Sequence, residues 1–294
     1  VLDGLIINIL CFADDILLLA KTQFEAQRML VELETTLGQI GLELSPAKSQ
    51  FCKNMHAENI ELFLDGKPIM EAKMNEGLLF LGCQITWDGE DVAEVLARIR
   101  KSWGAFFALK SWLLNRSIGR NKRLELWSLA MSSKPLWGSG TWTLTERTKG
   151  LISAMENAMY RSICLHPRRH EELGWQHRSR CTKILRQWHA GTGRKSFVNM
   201  AQVKKWTFAG HIARMNDDRL AKQITTCRGA CWRHAAGPRG QQHNRGHGYR
   251  RWENILDKFG IEKLGETWFL LGSDWENWHW NGKAKEFAKF RGGS

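Results

Sequence analysis

Two adjacent aspartates, Asp14 and Asp15, lie between two apolar runs, and this placement constrains the fold more than any other feature of the chain. The runs cover residues 5–13 and 16–20. Both are short and rich in leucine or β-branched residues, so they predict two strands of a hairpin whose turn presents the carboxylates side by side. Like charges held so close need a cation, and Mg²⁺ prefers oxygen ligands. The sequence therefore predicts a carboxylate metal site at a hairpin turn.

Charge is divided unevenly along the chain. Residues 1–90 contain six lysines and arginines against fourteen aspartates and glutamates, a net charge of −8. Because the whole chain of 294 residues has a net charge of +13, the remainder carries +21. An acidic segment joined to a strongly basic one favours metal chemistry beside a surface that binds nucleic acid. The alternative is a basic surface with no binding role.

Other bulk properties exclude several protein classes. No apolar run approaches the length of a membrane span, and no secretory leader opens the sequence. Seven cysteines, an odd and scattered number, do not make a disulfide framework and indicate a reducing compartment. We therefore expect an intracellular protein with no membrane partner.

Hydrophobic periodicity predicts an acidic segment that combines helix and sheet. Apolar residues at helical spacing from Ala26 to Ile40 predict one amphipathic helix that ends at Gly41 and packs under a sheet. Strands are predicted near residues 50–53, 60–64 and 78–86. Turns are predicted at Asp65-Gly66 and Asp88-Gly89.

Beyond residue 90 the pattern becomes helical. The predicted buried face of the first helix comprises Val92, Leu96, Ile99, Trp103, Phe106 and Leu113. Further helices are predicted at residues 120–131, 152–163 and 197–215, with a loop or short hairpin at 135–145. Residues 227–251 contain no acid and several glycines, which favours a flexible loop that binds phosphate.

Three motifs follow one another along the chain, at Phe12-Ala13-Asp14-Asp15, at residues 41–49 and at residues 80–85. In this order they make the chain resemble the reverse transcriptases of non-LTR, LINE-type retrotransposons. Phe12-Ala13-Asp14-Asp15 resembles the family's (Phe/Tyr)-Ala-Asp-Asp box. Residues 41–49, Gly-Leu-Glu-Leu-Ser-Pro-Ala-Lys-Ser, resemble Gly-Leu-x-(Ile/Leu)-Asn-x-x-Lys-Thr, with serine replacing asparagine and threonine. Residues 80–85, Phe-Leu-Gly-Cys-Gln-Ile, resemble the (Tyr/Phe)-Leu-Gly strand that grips the primer end. Further on, residues 206–215 resemble a Trp-x-Gly-His-(Ile/Val)-x-Arg stretch common downstream of these polymerases.

The resemblance implies an α+β fold in the form of a C-terminal fragment of such an enzyme. A partial polymerase palm, an antiparallel sheet with a packed helix, is expected in residues 1–90. A mostly helical thumb-like region is expected in residues 91–165, and a basic helical and loop region that binds nucleic acid in residues 166–294. The fingers and a third catalytic aspartate on the palm's first strand are expected upstream of Val1, so the fragment is expected to be inactive alone.

The resemblance also implies roles for individual residues. Asp14 is expected to bind the Mg²⁺ ions of a two-metal site directly, while Asp15 tunes their charge and position. Lys48 is expected to protonate the departing pyrophosphate; the alternative is an ordinary surface lysine. The residues expected to lie against the primer are Phe12, Ala13, Phe80, Leu81 and Gly82. A glycine at position 82 would allow close approach of the primer backbone, or would mark a simple strand bulge.

The implied substrates are an RNA template, a DNA primer or target and deoxynucleoside triphosphates, and the retrotransposon life cycle implies a nuclear location. Nucleic-acid contacts are expected from Arg168, Arg169, Arg178, Arg180, Lys204, Lys205, Arg239, Arg245, Arg250 and Arg251. Trp232 and Trp252 bracket the basic loop and are candidate platforms for base stacking.

Several alternatives remain open at this point. The aspartates could form a solvated turn, or the acidic pocket of a phosphorelay receiver with Asp65 as acceptor. Asp65 argues against a receiver because it lies in a predicted turn and not at the end of a buried strand. A degenerate retroelement relic that only binds nucleic acid is the main rival function, and a cellular polymerase relative would differ only in its template.

A zinc site is a further alternative, in the basic loop. Its candidate ligands are Cys227, Cys231, His234, His243 and His247. Thiolates and imidazoles suit zinc, but the spacing fits a zinc knuckle poorly. An arginine-rich loop with incidental ligands is the simpler interpretation.

Overall fold

The structure is a computed structural model whose described residues form two compact units. The first unit takes in the described residues up to Glu94 together with 218–226, and the second takes in 95–217 and the described residues from 252 onward. Helices and small sheets are both present, which is compatible with the predicted α+β class. The residues that the structure describes are 7–54, 57, 60–73, 76–86, 91–164, 166–226, 252–274, 276, 278 and 282–290.

Four two-stranded sheets supply the β-structure of the first unit. Three are antiparallel hairpins: β1 (Ile9–Phe12) with β2 (Asp15–Leu18), β4 (Phe63–Leu64) with β5 (Lys67–Pro68), and β7 (Leu78–Phe80) with β8 (Cys83–Ile85). The fourth pairs β3 (Gln50–Phe51) in parallel with β6 (Met70–Glu71). The expectation of one palm sheet is therefore wrong for the described residues, because these short pairs do not hydrogen-bond to one another. The strand predicted over residues 78–86 is likewise a hairpin.

Two hairpin turns place both of their central residues in the left-handed region. Asp65 and Gly66 have φ angles of 51° and 67°, and Leu81 and Gly82 have φ angles of 49° and 76°. Two-residue turns with positive φ at both positions match the twist of the flanking strands, and Asp-Gly is a favoured pair for them. The turn predicted at Asp65-Gly66 is confirmed, while the turn at Leu81 uses a residue that rarely adopts this conformation.

The helix predicted between the first two motifs is confirmed as α1 (Gln23–Gln39). The Thr22 side chain accepts a hydrogen bond from the Glu25 N–H at 3.1 Å and caps the first turn. At the other end the Leu42 N–H donates to the Leu37 carbonyl, and Gly41, which follows the C-cap residue Ile40, has a φ of 74°. The helix thus ends at Gln39, two residues before the predicted glycine. Its apolar side packs against a small core comprising Leu62, Leu64 and Ile69.

Helices make up most of the rest of the chain. The first group is α2 (Val92–Ala108), α3 (Lys110–Leu113), α4 (Arg120–Met131), α5 (Glu146–Cys164), α6 (Gly174–Thr192), α7 (Phe197–Ala213) and α8 (Leu220–Thr226). The later group is α9 (Asn254–Phe259), which continues into a π-helical turn at Gly260–Leu264, then α10 (Trp268–Ser273) and α11 (Lys283–Lys289). The predicted helices at 120–131, 152–163 and 197–215 are confirmed, and Ser139–Thr141 forms a 3₁₀ turn within the predicted loop. Within the described part of the chain, no helix combines the length and apolarity that crossing a membrane requires.

Two hydrophobic cores organise the second unit. The first is formed by buried residues of α2 to α7, among them Phe106, Trp127 and Met159. The second surrounds Trp206 and Trp278. The α7 helix contributes its beginning to the first core and its end to the second.

The predicted buried face of α2 needs a correction. Leu96 is 39% exposed, whereas Val95 is completely buried in its place. Glu94 and Arg98 are also buried, so the inner face of this helix includes two charged residues that a purely hydrophobic pattern does not select.

Candidate active site

The β1–β2 hairpin carries the two aspartates at its tip. Phe12 pairs with Asp15, so Ala13 and Asp14 form the two-residue turn. Ala13 has a φ of 53°, in the left-handed region that alanine seldom adopts. The predicted hairpin is confirmed, but only Asp14 lies in its turn, because Asp15 is the first residue of β2.

Both carboxylates of the doublet are exposed to solvent. Among the described residues, neither Asp14 nor Asp15 has a hydrogen-bond or ion-pair partner for its carboxylate. Two adjacent negative charges without a compensating group suit a hard cation, because carboxylate oxygens are the ligands that Mg²⁺ prefers. In the part of the chain that the structure describes, no three His, Cys, Asp or Glu side chains group closely enough to hold a metal ion. The doublet therefore offers two ligands, and a complete site needs more.

Apolar side chains flank the doublet without being buried. Phe12 is 65% exposed, and Ile9 and Leu19 are also exposed. An exposed hairpin with this composition leaves much apolar area in contact with water, which is unfavourable by about 25 cal/mol per Å². The hairpin therefore has apolar surface available for packing beside its carboxylates.

Lys48 lies in the turn that leads from α1 to β3. Its N–H donates to the Ser45 carbonyl at 3.1 Å, and the Ser49 hydroxyl donates to the same carbonyl at 2.9 Å. The Lys48 side chain is exposed, and its ammonium has no hydrogen-bond or ion-pair partner within the described ranges. The backbone of this turn is thus fixed while the charged group is left available.

The β7–β8 hairpin contains the predicted primer-contacting residues Phe80, Leu81 and Gly82. Gly82 occupies a turn position with positive φ, so it is neither within a continuous strand nor a strand bulge. The Gln84 N–H donates to a carboxylate oxygen of the buried Glu94 at 2.7 Å, which fixes the hairpin to the beginning of α2. Glycine is needed here for its backbone conformation.

Of the cations predicted to bind nucleic acid, Arg168, Arg169 and Arg178 are exposed. Arg180 is instead engaged with Glu172 through hydrogen bonds of 2.7 Å from Nε and 2.8 Å from Nη2. This bidentate pair lowers the pKa of Glu172 to about 2, with the Arg180 hydrogen bond as the largest cause and the Arg169 N–H as the next. Arg180 therefore organises the start of α6, and its neighbours are better placed to contact phosphate.

The prediction that Lys205 binds nucleic acid is wrong for this structure. Lys205 is only 2% exposed, and its Nζ donates to the Trp142 carbonyl at 2.9 Å. The same Nζ lies 5.0 Å from the centre of the Trp252 ring, a cation–π contact. Lys204, by contrast, is exposed, although its Nζ donates to the Leu136 carbonyl at 3.3 Å. The Lys205 ammonium cannot reach a phosphate, because it is buried and bonded to the Trp142 carbonyl.

Trp252 is likewise a packing residue and not a free base-stacking platform. Its indole N–H donates to the Gly140 carbonyl at 2.8 Å, and its ring meets Phe208 and Trp268 edge to face. The ring is thus packed among protein groups, with the Lys205 ammonium over one face.

The downstream motif around residues 206–215 has a structural explanation that the sequence did not reveal. The indoles of Trp206 and Trp278 stack with ring centres 3.8 Å apart, and the Trp278 indole N–H donates to the Trp206 carbonyl at 3.1 Å. A Cβ atom added to Gly210 would lie 2.1 Å from the Trp278 indole nitrogen, so only glycine leaves room for that ring. His211 is exposed beside it. Trp206 and Gly210 of the motif therefore form the site against which the Trp278 ring packs.

Burial raises the pKa of the Cys164 and Cys181 thiols, which keeps them protonated and poor as metal ligands or nucleophiles. Burial also lowers the pKa of His166, with the charge of Arg120 as the next cause. These groups lie where α5 and α6 approach each other, and in each of them burial favours the uncharged form of the side chain.

Several predicted features fall outside the described residues. They are the turn at Asp88-Gly89, the loop 227–251, Trp232, the candidate zinc ligands Cys227, Cys231, His234, His243 and His247, and the cations Arg239, Arg245, Arg250 and Arg251.

Two comparisons with known proteins found a match. Residues 3–85 match the family described as reverse transcriptase (RNA-dependent DNA polymerase). The chain is 28% identical over 233 residues to a transposon-derived protein of Caenorhabditis elegans, in a match that covers 77% of this chain and 78% of that protein. No solved structure matches the chain significantly. The family match includes the aspartate hairpin, Lys48 and the β7–β8 hairpin, while the match to the transposon-derived protein extends well beyond them.

Proposed function

We propose that this chain is part of a retrotransposon reverse transcriptase, an RNA-directed DNA polymerase. The observation that carries the proposal is the exposed, unpartnered pair Asp14 and Asp15 at a hairpin tip, within residues that match the reverse transcriptase family. The transposon-derived relative supports the same origin for most of the chain.

The residues of the hairpin fit a magnesium ion in donor type, since both offer hard carboxylate oxygens that no other described group engages. Bound Mg²⁺ lowers the pKa of a primer 3′-hydroxyl and neutralises charge on the triphosphate and the leaving pyrophosphate. In the proposal Asp14 holds the metal directly and Asp15 adjusts the charge beside it. In the proposal a further carboxylate completes the site, since the described residues bring no third ligand to these two.

Other groups of the first unit supply positioning and proton transfer. The exposed ammonium of Lys48 donates a proton to the departing pyrophosphate in the proposed reaction. The β7–β8 turn at Leu81-Gly82, together with Phe12 and Ala13, lies against the primer end. An RNA template, a DNA primer or target and deoxynucleoside triphosphates are the substrates.

We further propose that the enzyme is of the non-LTR type, on the basis of the Phe12-Ala13-Asp14-Asp15 box and the Trp206 motif. Residues 1–90 would be part of the palm, 91–165 a thumb-like region and 166–294 a nucleic-acid-binding region, in a protein that works in the nucleus. The chain by itself would be inactive, because the described residues bring only two carboxylates to its proposed metal site.

A degenerate relic that only binds nucleic acid is the second candidate function. The observation that favours it is the absence, among the described residues, of a third ligand near any metal site. Salt-sensitive binding to nucleic acid is expected from either function, so binding does not distinguish them.

Primer extension on an RNA template distinguishes the two functions. The protein to assay is one extended upstream of Val1 by its encoded sequence, with Mg²⁺ present or chelated. Asp14→Asn should abolish extension, whereas Asp65→Asn, the matched change at another exposed hairpin turn, should retain it. No extension by the extended parent protein would favour the relic, and equal extension by the parent and Asp14→Asn would refute the catalytic assignment.

A further inference from the structure

The surface formed by the end of α2, α3 and the start of α4 is strongly basic. Residues 95–124 contain no aspartate or glutamate. The exposed cations of this stretch are Arg100, Lys101, Lys110, Arg116, Arg120 and Lys122. An exposed stretch with many cations and no acid of its own attracts a polyanion.

Two aromatic side chains are exposed on this surface. Phe107 and Trp112 are each 59% exposed. Phe107 stacks on Trp103 with ring centres 5.6 Å apart and an interplanar angle of 27°, and it meets the buried Phe106 edge to face. Phe107 is therefore held in position by protein rings while much of its surface remains open.

An open groove lies beside these aromatics, and we call it the α2–α3 groove. Its volume is about 550 Å³, within the roughly 300–1,000 Å³ range of clefts that hold small organic groups. It is lined by Phe107, Ala108, Lys110, Ser111, Leu114 and Asn115. The lining thus combines an aromatic face, a cation and two hydrogen-bonding side chains.

The groove is built on a fixed framework. The buried Arg123 donates from Nη1 to the Ile163 carbonyl at 2.6 Å and to the Leu113 carbonyl at 3.3 Å, and from Nε to the Ile118 carbonyl at 3.0 Å. Leu113 is itself completely buried. These bonds join α3 to the first turn of α4, so Arg120 and Lys122 are held close to the groove.

The cations at the start of α4 lie where a helix disfavours them. The first turn contains Arg120 and Lys122 but no acid, although the positive end of the helix dipole favours negative groups. An anion bound nearby would compensate this unfavourable charge.

We propose that the α2–α3 groove binds single-stranded nucleic acid, with Phe107 and Trp112 stacking on bases and Lys110, Arg116 and their basic neighbours contacting phosphates. Exposed aromatic faces can stack on unpaired bases, whereas the bases of a duplex already stack on one another. A second copy of the chain that docked through the same surface would bring positive charge against the groove, which disfavours a symmetric contact between copies. The role requires no catalysis by Asp14, so it does not depend on the proposed polymerase function.

Fluorescence anisotropy with a labelled oligothymidylate of about 20 nucleotides tests the proposal on the full 294-residue chain. Phe107→Ala and Trp112→Ala should each weaken single-strand binding about tenfold, and duplex binding by much less. Phe24→Ala and Trp137→Ala are the matched controls, because they remove a phenylalanine and a tryptophan that are also exposed. The controls should bind as the parent protein does.

Salt dependence separates stacking from phosphate contact. Lys110→Gln and Arg116→Gln should each reduce the slope of log affinity against log salt by about 0.7, the value for one phosphate contact on a single strand. Phe107→Ala should lower the affinity without changing that slope. Binding is measured without Mg²⁺ or deoxynucleoside triphosphates, so a failed polymerase assay would leave this result intact.

Photocrosslinking of an iodouracil-substituted oligonucleotide to the unmodified chain tests the same proposal without any substituted protein. Crosslinks mapped by mass spectrometry should include residues within 103–116. Crosslinks confined to other segments, or unchanged binding by both aromatic variants, would overturn the proposal. Sedimentation showing a parent dimer that becomes monomeric in Phe107→Ala would assign the groove to contact between copies instead.

Discussion

The side chain of Gln27 hydrogen-bonds to the backbone of Phe63 as a neighbouring strand would. The Phe63 N–H donates to the amide oxygen of Gln27, and the amide nitrogen of Gln27 donates to the Phe63 carbonyl, both at 2.8 Å. One turn earlier, the Gln23 amide donates to the Glu61 carbonyl at 2.8 Å. Two glutamines of α1 thus satisfy backbone groups at the strand edge that the helix packs against.

Gln27→Leu should leave the backbone N–H and carbonyl of Phe63 without their partners on α1. The substitution removes both hydrogen bonds to Phe63, each with a net worth of about 0.5–1.5 kcal/mol. The measurement is amide hydrogen exchange, in which the Phe63 N–H should lose protection. Gln39→Leu, at the exposed end of α1, serves as the control and should leave Phe63 protected; equal protection in Gln27→Leu would contradict the role assigned to this pair.

Gly210→Ala should destabilise the second core. The added Cβ would meet the Trp278 indole at 2.1 Å, and that ring is buried and stacked on Trp206. Overpacking of this kind costs about 1–3 kcal/mol. Gly150→Ala, in α5, is the opposite case, because nothing lies within 4 Å of its new Cβ and alanine favours a helix by up to about 1 kcal/mol. Thermal unfolding should shift downward for the first variant and upward for the second.

Glu172 should stabilise the fold in a defined pH range. Because its pKa falls from 4.5 to about 2 on folding, its contribution is complete above pH 4.5 and is lost as the pH falls toward 2. Urea unfolding of the parent and Glu172→Gln should therefore differ by a constant amount between pH 7 and 5, and converge at lower pH. Glu171→Gln, at the exposed neighbouring position, should follow the parent throughout; a difference for Glu172→Gln that grows on acidification would contradict the assignment.

Local patterns were sufficient wherever one short segment decides the structure. The apolar runs around Asp14 predicted the β1–β2 hairpin, and Asp65-Gly66 predicted the turn between β4 and β5. The pattern of residues 120–131 predicted a helix with the observed bounds. In each case the signal and the structure lie within the same few residues, because turn chemistry and helical periodicity act locally.

Contacts between distant segments explain what the sequence did not predict. The sequence predicted that Lys205 binds phosphate, because it does not show that the ammonium bonds to the carbonyl of Trp142, 63 residues away. Leu81 disfavours the left-handed conformation, so the β7–β8 turn had only Gly82 as a signal. On α2, the burial of Glu94 and Arg98 shifts the inner face away from Leu96, which hydrophobic periodicity cannot register.

Lys205→Ala should separate stability from nucleic-acid binding. Its buried ammonium bonds to the Trp142 carbonyl and contacts the Trp252 ring, so the variant should unfold at a lower temperature. Its affinity for nucleic acid, measured well below that temperature, should equal the parent's. Arg169→Gln, at an exposed position, should show the reverse: unchanged unfolding and a salt slope lower by about 0.7–0.9. A Lys205→Ala protein that is stable but binds weakly would restore the original prediction.

Ala13→Gly tests whether the strained tip of the first hairpin serves the aspartates. Ala13 has a φ of 53°, which glycine adopts without steric cost, so the substitution should leave stability unchanged or raise it by up to about 1 kcal/mol. If the rigid turn keeps the carboxylates of Asp14 and Asp15 together, the more flexible glycine turn should weaken the binding of Mn²⁺, a spectroscopic substitute for Mg²⁺. Electron paramagnetic resonance measures this affinity directly on the chain. Leu81→Gly relieves the same conformation at a turn without aspartates, and it should leave Mn²⁺ binding unchanged. Equal Mn²⁺ affinity in Ala13→Gly and the parent would show that the turn conformation does not serve the metal.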